Sequence, residues 1–120
     1  MSYLQPEQFY DMLNQTYGVA RDAKFGRGFR EIDRAFYAEV LDALLVCKNL
    51  CRTAIDENDP RKVDALYNAL FMLFKRRKTH KFGVNIRTDD KNTIDVLFSK
   101  LNVLLGIHHL YFLSITNKGK

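Results

Sequence analysis

Cys47, Cys51, His108 and His109 are residues of metal-binding type that could meet across two helices. Cys47 and Cys51 are four apart and share a face if the segment is helical. Neighbouring histidines on a helix point about 100° apart, so only one of the pair could join them. No Glu-x-x-His pair of a di-iron bundle and no close Cys-x-x-Cys of a zinc ribbon is present. His108 falls in an apolar seam and reads as a satisfied core histidine, so no metal and no cofactor is expected. Two cysteines on one helix face do not readily bridge, and no third is available. They read as buried free thiols, which suits a reducing cytoplasm.

Other chemistry finds less support. No Gly-x-Ser-x-Gly turn occurs, and Ser2, Ser99 and Ser114 have no evident His and carboxylate companions. Phe25-Gly26-Arg27-Gly28-Phe29-Arg30 resembles a phosphate loop only superficially, because the Lys-Ser/Thr ending is missing. Arg76 and Arg77 stand too close to His80 for the Arg-His spacing of helical ribonucleases. Glu31 and Asp33 are two apart, on different faces of a helix, and read as offsets for nearby arginines. A non-enzyme is expected.

Charge is more informative. Lys75, Arg76, Arg77, Lys78, Lys81 and Arg87 lie in thirteen residues that contain no Asp or Glu. The whole chain has 19 basic and 14 acidic residues, so without these six its net charge would be slightly negative. Such a concentrated field attracts polyanions by counterion release. The plainer alternative is a solvated helix C-terminus, which favours cations. Arg27, Arg30 and Arg34 form a second stripe. Antiparallel packing would merge the two at one end, with His80 adding a donor. Phe82 could stack on an unpaired base or tuck back as a lid. No base-reading helix motif is evident, so backbone or shape recognition with little sequence preference is expected, and an acidic protein face is the alternative ligand.

Four helices must position these residues. Apolar spacing predicts them over residues 5–20, 28–55, 60–79 and 89–116. The seams are Phe9, Met12, Leu13 and Tyr17; then Phe29, Ile32, Phe36, Val40, Ala43, Cys47, Leu50 and Ala54. The third helix offers Val63, Leu66, Leu70, Leu73 and Phe74, and the fourth Ile94, Leu97, Leu101, Leu104, His108, Tyr111 and Ile115. Pro6 and Pro60 fit first helical positions, and Asp59 and Thr88-Asp89-Asp90 fit N-caps. No two-residue alternation of a strand is visible. Short connections then give one all-α domain over residues 1–120, an up-down antiparallel four-helix bundle. The longest unbroken apolar run is residues 69–74, far short of a membrane span, and residues 1–7 show no secretory signal.

Helices two and four are more apolar than one core stripe requires. Phe98, Leu105 and Phe112 form a second row, and Tyr37, Leu41, Leu44 and Leu45 another. Either the core is wide or a face meets another subunit. Aromatic anchors favour a homo-oligomer interface at Phe98, Leu105, Phe112, Leu41 and Leu45.

The chain resembles the accessory variability determinant proteins of diversity-generating retroelements, relatives of four-helix proteins encoded in 23S rRNA intervening sequences. The resemblance runs from about residue 25 to residue 120. It rests on Phe25-Gly26-Arg27-Gly28-Phe29-Arg30, Arg34-Ala35-Phe36, Val63-Asp64-Ala65-Leu66-Tyr67-Asn68-Ala69, Leu73-Phe74-Lys75-Arg76, Leu104-Leu105-Gly106 and the tail Asn117-Lys118-Gly119-Lys120. The family often continues past that glycine to a Trp; here Ile107-His108-His109 follows and the chain has no Trp. The resemblance implies a barrel-shaped homopentamer. It would bind a reverse transcriptase and template RNA, or an RNA/DNA hybrid, and support mutagenic copying, with Gly106 permitting close helix approach. The alternative is a helical protein–protein adaptor or ribosome-associated bundle whose basic end is only solvated.

Overall fold

A computed structural model describes residues 4–116; the tail Asn117-Lys118-Gly119-Lys120 lies outside the described residues. Four helices account for the fold: α1 (Pro6–Asp22), α2 (Glu31–Glu57), α3 (Pro60–Thr79) and α4 (Thr88–Thr116). No strand occurs among the described residues.

Local chemistry sets the helix ends. Pro6 opens α1, and the Gln5 N–H donates to the Gln8 side chain at 2.8 Å. The helix runs past Gly18 to Asp22, two residues beyond the expected stop. A lone helical glycine lowers stability but does not end a helix whose face is buried. Helix α2 starts at Glu31, not at residue 28, because Gly28 has φ +87° and cannot continue a right-handed turn. Asn58 takes the left-handed conformation, φ 52°, after α2. Asp59 then accepts the Arg61 N–H at 3.0 Å, so α3 begins within two residues.

Contacts across the bundle fix its up-down order. Arg76 of late α3 reaches Glu39 of early α2, and Arg77 reaches Asp95 of early α4. At the opposite end, Phe9 of α1 stacks on Tyr111 of α4 with centroids 4.3 Å apart. The Tyr111 hydroxyl donates to the Cys51 carbonyl at 3.1 Å, and His108 Nε2 lies 2.9 Å from the Val63 carbonyl. A ring nitrogen facing a carbonyl must be the donor there. His108 is therefore a satisfied core histidine.

The seam of α4 is buried as the spacing predicts, from Ile94 through Ile115. That of α2 departs from expectation. Ile32 is 59% exposed and Asp33, beside it, is fully buried. Phe98 also departs: it is a core residue, set edge-on against Phe74 at 5.5 Å, and so is not left for another subunit. Leu105 and Phe112 are partly buried against the same core, as is Leu41, while Leu45 is exposed. The apolar row that α4 does expose is Val96, Val103 and Leu110, two residues back from the predicted one. Both rows have a seven-residue spacing, so periodicity alone cannot choose between them.

By length and mean hydropathy (1.4 over its most apolar stretch) α4 could also cross a membrane, although no long unbroken apolar run exists. One third of that stretch is buried within the bundle. Gly106 has no neighbour within 4 Å of the place a Cβ would take, so close helix approach inside the bundle does not require it.

Two glycines give opposite expectations. A Cβ at Gly28 would lie 1.9 Å from the Asn85 carbonyl oxygen, whereas one at Gly18 meets nothing within 4 Å. Gly28→Ala should destabilise the protein by about 2 kcal/mol or more. Gly18→Ala should stabilise it by roughly 0.5–1 kcal/mol. Urea denaturation of both variants checks the pair.

Candidate nucleic-acid interface

Because α2 and α3 are antiparallel, the start of one lies beside the end of the other. Residues 23–30 and 80–87 both cross this end of the bundle and lock onto each other. The Arg30 guanidinium donates to the Lys81 carbonyl at 2.8 Å, and the Gly26 N–H donates to buried Asp90 at 3.0 Å. Gly26 leaves room for Arg87, whose guanidinium would collide with a Cβ there. The structure thus brings Arg27, Arg30 and Arg34 to the same end as Lys75, Arg76, Arg77, Lys78, Lys81 and Arg87.

Asp33 anchors this end. Its carboxylate accepts the Arg30 N–H at 2.9 Å, Arg30 Nε at 3.1 Å, Arg30 Nη2 at 3.0 Å and His80 Nε2 at 2.7 Å. Burial on its own would raise the Asp33 carboxyl. The hydrogen bonds from the Arg30 side chain and backbone and from His80 outweigh it, and hold the group at about 2. An ionised carboxylate only accepts, so His80 Nε2 carries the proton of the shared bond.

His80 therefore corrects the expectation that it offers a surface donor. It is 7% exposed, stacked on Phe36 at 4.3 Å, and committed to Asp33. Phe82 takes the lid position, its ring 4.8 Å from His80 and 6.0 Å from Phe36. Neither is presented to a ligand.

The cations divide into two groups. Arg30, Arg76, Arg77 and Arg87 have carboxylate partners in Asp33, Glu39, Asp95 and Asp89, at 3.0, 2.7, 3.5 and 3.5 Å. Except for Asp33 these pairs are solvent-accessible on both sides, so each contributes only a few tenths of a kcal/mol to about 1 kcal/mol. Arg27, Arg34, Lys75, Lys78 and Lys81 are exposed and form no ion pair among the described residues. Lys24 and Lys91 border the same end and are also exposed. They stand outside the dense run in sequence, and only the antiparallel topology assembles them with it.

The other candidate chemistry does not gather. Among the described residues no three His, Cys, Asp or Glu side chains come together to hold a metal. Burial pushes the Cys47 thiol up to about 12 and the Cys51 thiol up to about 11, which keeps both protonated. His109 is exposed, pointing away from the seam that holds His108.

Comparison with known proteins finds no matching family model, no matching curated protein and no matching solved structure.

The Asp33 carboxyl sits below its ordinary value of 3.8 in the fold, so its charged form is the stabilising one. That contribution is complete above about pH 5 and is lost as pH falls towards 2. A shift of this size corresponds to on the order of 2 kcal/mol. Asp33→Asn should be less stable at neutral pH by about 2–3 kcal/mol, and its stability should vary less between pH 5 and pH 2. Denaturation of both proteins across that range checks the slope.

Proposed function

We propose that this protein is a non-catalytic, nucleic-acid-binding helical bundle, an accessory subunit to a reverse transcriptase that also engages its template RNA. One observation carries the reading: exposed cations without ion-pair partners among the described residues gather at one end of the bundle. A surface of this kind gains affinity for phosphate backbones by releasing counterions, with no need to read bases. The resemblance to retroelement accessory proteins supports template RNA as the polyanion and a reverse transcriptase as the protein partner, and the two buried free thiols support a reducing cytoplasm as the place of action.

Self-association belongs to the same proposal, as a homo-oligomer with the pentamer favoured. Its support is the exposed row Val96, Val103 and Leu110, with Val19 of α1 and Leu45 and Val46 of α2 also exposed. The same surfaces support the second reading, a protein–protein adaptor whose basic end is only solvated.

RNA binding measured across a salt series separates the two. The proposal expects affinity to fall steeply and log-linearly with salt. Lys78→Ala and Lys81→Ala should each reduce the slope by about 1. Absence of RNA binding at low ionic strength would leave the adaptor reading.

A further inference from the structure

The outer face of α3 carries a feature the charge argument does not use. Tyr67 and Phe71 are 40% and 45% exposed, although each is a large ring that could have been buried. Their planes are within 9° of parallel, with centroids 6.4 Å apart. Lys75 follows one turn later, its ammonium 5.4 Å from the Phe71 centroid. Lys78 comes next, where α3 meets the cationic end. Tyr67, Phe71, Lys75 and Lys78 are spaced four, four and three apart, so they share one helix face. About 10 Å separates Phe71 from Lys78 along the axis.

We infer that this face of α3 is a stacking platform for single-stranded nucleic acid. Unpaired bases lie on Phe71 and Tyr67, while their phosphates are held by Lys75 and Lys78. The inference rests on the nucleic-acid reading above and narrows it from polyanions in general to strands with unstacked bases. Charge complementarity selects this occupant. The two lysines form no ion pair with the described residues, so the rings stand beside uncompensated positive charge. A duplex keeps its base faces stacked inside and can use only the lysines. An exposed single strand can use both kinds of group, because every base offers a π-face. Tyr67 is steadied from beneath by His108, whose ring centroid is 4.9 Å away. That support holds the platform without covering its outer side.

The test compares a single strand of about 12 nucleotides with the duplex of the same sequence, within the site sizes such surfaces accommodate. Phe71→Leu keeps an apolar helix-forming side chain but removes the π-face. It should raise the single-strand Kd roughly tenfold and leave the duplex Kd and the thermal midpoint unchanged. Tyr67→Leu should act in the same direction. Lys78→Glu should weaken both ligands. Photocrosslinking from a thiouridine-containing strand should map to the segment from residue 67 to residue 78.

An unchanged single-strand Kd in Phe71→Leu overturns the inference, as does equal weakening of strand and duplex. A change of oligomeric mass in that variant also overturns it, by showing the face to be a protein contact. Wild-type protein that binds neither ligand at low salt defeats the broader nucleic-acid reading as well. Binding of both with a silent Phe71→Leu defeats only the platform.

Discussion

The cationic end depends on one buried negative charge. Asp33 is fully enclosed, and a carboxylate so placed must have its lone pairs occupied or lose its charge. Three of its hydrogen bonds come from Arg30 and one from His80. Arg30 then extends a fourth bond to the Lys81 carbonyl, which ties residues 23–30 to residues 80–87. Asp90 holds Gly26 in the same manner from the start of α4. Two acids in the interior thus secure the loops, and the remaining positive groups are left facing solvent.

This division explains how so much like charge can occupy one end. Repulsion among exposed cations disfavours the compact state. Here it is moderated by Glu39, Asp95 and Asp89 at the rim and by aromatic rings beneath. Arg76 lies 5.1 Å from the Phe36 centroid, Arg77 5.0 Å from Phe82 and Arg34 5.6 Å from Phe29. The rings that close the core also soften the field above them. Phe82 fills that position instead of presenting itself as a base-stacking group.

Helix positions were legible in the sequence because proline, aspartate and apolar spacing all agree there. Pro60 after Asp59, and the unbroken seam of α4, leave little choice. The merging of the two basic stripes followed from antiparallel order alone. What spacing could not show was which polar residue would replace an apolar one. Ile32 and Asp33 are neighbours on a helix, and hydropathy assigns the interior to isoleucine. Only Arg30 and His80, the latter 47 residues away from Asp33, make the reverse arrangement favourable. The apolar excess of α4 was equally visible, but Phe74 decides which row is covered, and that depends on how α3 is rotated. The stacked pair Tyr67 and Phe71 gave no signal either, since aromatic residues at helical spacing usually belong to a core.

The connections at the two ends of the bundle differ greatly in the length of chain they close. Asn58 and Asp59 join α2 to α3 locally, so this hairpin forms at small entropic cost. The Gly26–Asp90 and Arg30–Lys81 bonds instead span 64 and 51 residues. They can form only after the helices have come together, and they return little until both loops are in place. The cationic end is thus the part of the molecule whose assembly comes latest, and its local opening can precede global unfolding while the helical hairpin stays intact.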